Sequence, residues 1–214
     1  VLKDGLGRVG KMIWASGMGK DFDVDPKRWR FRSALLYACG NGLEIVTQIC
    51  PASFLVVATL ANTMKQVSML TASATRNAMY RSFGGKAQNI ANITAKGEAQ
   101  IVIADLIGMG CGIQLSKFIG TSRDKVLVAY LALTAADIFG IYMELRQVVF
   151  RSLNAERASL VIEKYVTTGK VIVPSDASRL ERIFLKPRYK NRSRFSSIAK
   201  AAKDPEEFDT ILRV

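Results

Sequence analysis

The sequence predicts an all-α protein, a helical bundle with a central apolar helical hairpin and a basic C-terminal extension. Three observations carry this. Apolar residues recur at three- and four-residue spacing over long stretches, alternating strand-like runs are almost absent, and glycine and proline break the chain where helices would end. A net charge of +13 on 214 residues, 49% of them hydrophobic, describes an apolar body with separate basic segments. Such segments favour phosphate-bearing or acidic partners.

Residues 1–32 read as a glycine-rich, charged stretch that bends into a short helix from Lys11 to Ser16. Its "DGLGRVGKMIWASG" places Gly5, Gly7 and Gly10 in the order G-x-G-x-x-G. A dinucleotide loop needs a buried strand before the glycines and an acid at the end of the next strand. Only Val1 to Asp4 precede Gly5, and Asp21, Asp23 and Asp25 follow no strand, so the glycines are expected to make a bend and to contact no dinucleotide.

Helices are then expected at 33–49, stopped by Pro51, and at 53–83, closed by Gly84-Gly85. After a lead-in from Asn89 to Ala95, apolar helices follow at 97–119 and 126–150, separated by the loop Gly120 to Lys125. Residues 154–168 are amphipathic and end at Gly169. Val171 to Pro174 is extended, and Ser175 or Asp176 caps a short helix to Leu185. The chain divides into a helical domain, 1–178, and a basic extension, 179–214.

The hairpin is apolar nearly all round, which fits either the core of a bundle or a pair of membrane spans. A span needs about 20 apolar residues. Val126 to Met143 is broken only by Asp137, whereas Ile101 to Ile119 contains Asp105, Gln114 and Lys117, so both readings stand. Ala104, Gly108, Gly112 and Ser116 form a smooth helix-packing ridge. Asp105 borders it, with Glu98 two turns earlier. Arg76 lies among Met69, Ala72, Met79 and Phe83, and Asp137 among Tyr130, Leu133, Thr134 and Ile141. A buried charge is costly unless paired. Arg76 is therefore expected to form a buried ion pair with Asp105 or Asp137; the alternative is that it snorkels from the rim while each acid faces a wet cleft.

The chain has no histidine, which removes Ser-His-Asp and Cys-His nucleophiles, His metal sites and His bases. Cys39, Cys50 and Cys111 are scattered, so they are expected as buried free thiols and not as a zinc site or a disulfide framework. No metal, no cofactor and no enzymatic activity are expected, because carboxylates without a nucleophile or metal motif are more often architecture. The stretch from Arg179 to Lys203 carries nine basic residues and one acid, Glu181. Its Lys186, Arg188, Lys190, Arg192 and Arg194 are interleaved with Tyr189 and Phe195, which suits an anionic membrane surface or an acidic partner. With no RRM box or KH loop, nucleic acid is not the expected partner.

Several stretches together resemble one family: Val1 to Arg8, "PASFLVVATLANTMKQV", "TASATRNAMYRSF", "QNIANITAKGEAQ" and "RQVVFRSLNAERASLVIEKYV". In this order they are similar to the root UVB-sensitive family, a eukaryotic domain of unknown function. The resemblance runs from Val1 to about Glu181 and assigns the first glycines to the family's Lys-Asp-Gly-x-Gly motif. Where many members have an acid, this chain has Asn92. The resemblance implies a link to UV-B response, auxin transport and vitamin B6 homeostasis, and residence in a plastid rather than a mitochondrion. It also implies membrane association and action with partners, either another family member or a large membrane complex, and it brings no established reaction. The expected function is thus that of a non-enzymatic, membrane-associated organellar protein. The alternatives are a pyridoxal phosphate module using Gly84, Gly85, Lys86 and Lys96, or an RNA-binding protein acting through the basic extension.

Overall fold

The computed structural model describes residues 2–49, 51–84, 89–120, 122–150 and 152–185, and its regular elements are all helical. They are α1 (Leu2–Val24), α2 (Pro26–Ile49), α3 (Phe54–Phe83), α4 (Ile90–Ile119), α5 (Arg123–Gln147), α6 (Ala155–Thr168) and α7 (Pro174–Leu180), with a 3₁₀ turn at Pro51–Ser53. Two compact units divide at Ser152 and Leu153, earlier than the charge-based boundary after residue 178.

The first unit is built around α3. Contacts from α1 climb α3 in step: Gly7 faces Asn62, Gly10 faces Thr63, the Trp14 indole donates to Thr71 Oγ1 at 3.1 Å, and Arg81 pairs with Asp23. The two helices therefore run parallel. Contacts from α2 run the other way. Ser68 donates to the main-chain oxygen of Ser33 at 2.6 Å, Gly40 meets Ala61 and Lys65, and Lys65 Nζ lies 2.6 Å from Glu44. Helices α1 and α2 meet at Trp29, whose indole packs edge-on against Trp14 and Phe22.

The opening glycines are thus helical, a correction to the expected bend and short helix. A Cβ on Gly7 would fall 2.6 Å from Asn62 Nδ2, and one on Gly10 would fall 2.6 Å from Thr63 Cγ2. Each glycine costs an interior helix position about 1 kcal/mol relative to alanine. In exchange it lets α1 approach α3 closely, and no strand feeds a nucleotide loop among the described residues. Pro26 opens α2, where a missing N–H is tolerated.

The interior of this unit mixes large apolar residues, among them Phe22, Phe31, Met79, Leu145 and Phe150, with small and polar ones. Ala34, Ala38, Ala58, Ala61 and Ala78 are buried together with Ser33, Ser68, Thr71 and Thr75. Thr71 and Thr75 return their hydroxyls to Val67 and Thr71 carbonyls at 2.9 and 2.7 Å, which keeps the buried hydroxyls bonded. Other large apolar residues face outward, including Leu6, Val9, Met12 and Ile13 on α1 and Phe54, Leu55, Val56 and Leu60 on α3.

In the second unit Asn154 caps α6 by accepting from the Arg157 N–H at 2.8 Å, and Gly169 ends it in the left-handed conformation, φ 66°. Arg157 grips Glu181 through Nε and Nη2, at 3.3 and 3.2 Å, with both side chains 3% exposed. Glu156, fully buried, accepts from the Arg182 N–H at 3.3 Å. The start of the expected basic extension is therefore structural: Arg179 belongs to α7, and Glu181 and Ile183 are buried. A carboxylate beside the one deeply buried arginine of α6 ties down a segment that charge alone places outside the fold. The short helix also ends sooner than expected, at Leu180, with Pro174 rather than a capped Ser175 or Asp176 at its start.

Candidate functional site: two apolar helices left unburied

Helix α4 starts at Ile90, earlier than expected, because the lead-in from Asn89 holds no helix breaker. It has 30 residues, about 45 Å, and α5 has 25, about 37 Å, against a hydrocarbon layer of about 30 Å. Both are long and apolar enough to cross a membrane. Neither is the core of this chain. Among the described residues α4 buries none and α5 only Leu145, and every residue from Val102 to Gln114 is exposed. Val102, Ile107, Met109 and Phe118 on α4, with Val128, Leu133 and Phe139 on α5, are 57–81% exposed.

Each helix hangs on a different member of the core. Tyr130 of α5 donates its hydroxyl to the Ala38 carbonyl of α2, beside Gly42, and Tyr142 packs edge-on against Phe31. Tyr80 of α3 lies against Gly97 of α4, where a Cβ would come within 2.6 Å of the ring carbon Cζ. The tyrosines were not singled out in the sequence. Their signal is a large ring on one helix with a glycine at the matching level of the next, which is readable only once the pairing of helices is known.

The expected ion pair of Arg76 with Asp105 or Asp137 is not formed. Arg76 Nε lies 3.8 Å from Glu98 Oε1, with the side chains 33% and 51% exposed, and both aspartates are exposed. Register explains the difference. Arg76 and Tyr80 on one face of α3, with Gly84 just past its end, meet Glu98, Gly97 and Ile90 of α4. Asp105 lies two turns beyond that contact, and Asp137 is on α5, which is attached to α2. The ridge of Ala104, Gly108, Gly112 and Ser116 is likewise exposed, and Gly108 and Gly112 face open space. It packs against no helix of this chain among the described residues.

Cys39 and Cys111 are exposed rather than buried, and Cys50 lies outside the described residues. Of the residues considered for pyridoxal phosphate, Gly84 ends α3 against the Ile90 side chain and Lys96 is exposed on α4, while Gly85 and Lys86 lie outside the described residues. Lys186, Arg188, Lys190, Arg192 and Arg194 lie outside them too.

Residues 1–169 match the family described as the vitamin B6 photo-protection and homoeostasis domain. The chain is 39% identical over 176 residues to the protein root UVB sensitive 2, chloroplastic, of Arabidopsis thaliana, covering 82% of this chain and 40% of that one. It is 38% identical over 187 residues to root UVB sensitive 6 of the same plant, covering 87% and 36%. It is 26% identical over 187 residues to RUS family member 1 of Dictyostelium discoideum, covering 86% and 35%. The chain thus spans well under half the length of these relatives. No solved structure matches it.

Proposed function

Because the chain belongs to the root UVB-sensitive family, we propose that it is a non-enzymatic, membrane-embedded organellar protein that works by binding other proteins within the bilayer. One observation carries this reading: α4 and α5 are long and apolar enough to cross a membrane, yet their large apolar residues are left almost wholly unburied. Water drives large side chains inward. A bilayer removes that drive, and helices then associate through small residues and hydrogen bonds, the kind of contact that Gly7 and Gly10 of α1 make with α3. Contiguous exposed apolar patches mark interaction sites on soluble proteins. Lipid accounts for most of this surface. The unpartnered Gly108 and Gly112 ridge offers a second chain's helix a close approach, and the chloroplastic relative supports a plastid.

The reading is tested by alkaline carbonate washing of membranes containing the full chain, followed by mild-detergent extraction. The chain should stay in the pellet under carbonate and leave it with detergent, carrying a second polypeptide. Release by carbonate overturns the embedding. A monodisperse monomer in mild detergent overturns the action through partners.

A further inference from the structure

A cleft of about 640 Å³ opens between the end of α6 and α7 in the second unit. Lys164 and Thr168 stand one turn apart on α6 and form one wall. Gly169, at φ 66°, turns the chain out of α6, and Lys170 and Ile172 join the lining. Pro174 then starts α7, whose Asp176, Arg179 and Leu180 complete the lining.

Three cations from three successive segments therefore share one hollow with a single carboxylate. Among the described residues none of Lys164, Lys170 and Arg179 takes part in an ion pair. The C-terminal end of α6 favours nearby cations through its dipole, which accounts for Lys170 just past it but not for Lys164, a turn before it. It does not account for Arg179, which comes from another helix. Like charges brought into one concavity repel, and its walls focus their field on whatever anion enters.

We propose that this cleft binds a phosphate monoester. The lining carries a net charge of +2, three cations less one carboxylate. A phosphate monoester at pH 7 carries about −1.5 to −2. Arg179 supplies a planar fork for two phosphate oxygens and the lysines supply point charges. Thr168 already gives its hydroxyl hydrogen to the Lys164 carbonyl at 2.7 Å, so it is a wall and not a donor to the ligand. Ile172 and Leu180 present apolar surface to the body of the ligand. The same chemistry is available from a soluble phosphomonoester and from the headgroup of phosphatidic acid.

The test uses the full chain in phosphatidylcholine nanodiscs and follows amide hydrogen exchange across residues 164–180. Inorganic phosphate should protect this segment saturably. Arg179→Ala should weaken that protection about tenfold or more, as expected for a lost charged hydrogen bond. Arg179→Lys should fall between the two, and Asp176→Asn should tighten binding. Lys125→Ala, which removes an exposed cation elsewhere, should change nothing. All these side chains are exposed, and unchanged exchange in α6 shows that the fold survives. Protection by phosphate that added phosphatidic acid does not alter identifies a soluble ligand. Protection by phosphatidic acid that phosphate competes away identifies a headgroup. No protection from either source overturns the site, as does protection that survives Arg179→Ala. Equal protection by phosphatidylserine, which carries no phosphate monoester, also overturns it.

Discussion

Tyr130 donates its hydroxyl hydrogen to the main-chain oxygen of Ala38 at 2.7 Å, across the junction of α5 and α2. The same ring covers Gly42, where a Cβ would come 2.8 Å from the hydroxyl oxygen. Tyr80 repeats the arrangement against Gly97 at the junction of α3 and α4. In both positions the ring fills the space a glycine leaves, and at Tyr130 the polar tip also finds a main-chain partner.

Gly42→Val should loosen α5 more than Tyr130→Phe does. The valine drives methyl groups into the ring, an overpacking cost of about 1–3 kcal/mol. The phenylalanine keeps the ring and loses one hydrogen bond, about 1 kcal/mol. Amide exchange along α5 should rise in that order. Equal exchange in the two variants would show that the glycine seat is not what holds the helix.

At the junction of α1 and α3, Gly7→Ala adds a carbon 2.6 Å from Asn62 Nδ2. The helix gains about 1 kcal/mol from replacing glycine, and the clash costs about 1–3 kcal/mol, so the single variant should be neutral to destabilised in thermal unfolding. Adding Asn62→Ala removes the obstacle and should leave a protein at least as stable as the parent. A double variant no better than the single one would deny the close approach.

The helical class, the positions of α3, α5 and α6, and the stop at Gly169 were legible because they depend on local spacing and on glycine and proline. The opening segment was not, since three glycines in ten residues read locally as a bend; the partners Asn62 and Thr63, which give Gly7 and Gly10 a packing reason inside a helix, lie far away in the sequence. The partner of Arg76 was misplaced for a related reason. Each helix face could be read, but the level at which α3 meets α4 is set by Tyr80 and Gly97, which no spacing rule reveals. Glu181 looked like a stray acid in a basic extension, and its burial depends on Arg157 of α6.

Arg76→Met should therefore cost little. Its contact with Glu98 is long and largely open to water, and such pairs contribute about 0–1 kcal/mol. Its thermal midpoint should stay close to the parent's. A severe loss would point to a buried partner.

Arg157 and Glu181 should behave oppositely, because both are 3% exposed. Removing one partner of a buried pair costs about 3–5 kcal/mol. Arg157→Met and Glu181→Leu should each open the second unit to protease, and the double variant should recover part of the loss. Strict additivity would show that the two do not depend on each other.

Leu133→Arg separates a helix in lipid from a helix in water. Leu133 lies near the middle of α5 and is 58% exposed. If that surface faced water, an arginine there would be an ordinary surface substitution, worth within about 0.5 kcal/mol. In a bilayer the same arginine costs about 2.5–3.5 kcal/mol at the centre of a span, against a gain of about 0.3–0.6 kcal/mol for the leucine it replaces. The variant should insert poorly, with a clearly larger share of the chain released by alkaline carbonate than for the parent. Asp137→Leu, one turn further along, should shift the balance the other way by removing an exposed charge from the same span. If both variants fractionate like the parent and keep its stability, α5 does not lie in the membrane, and its apolar face must be covered by protein instead.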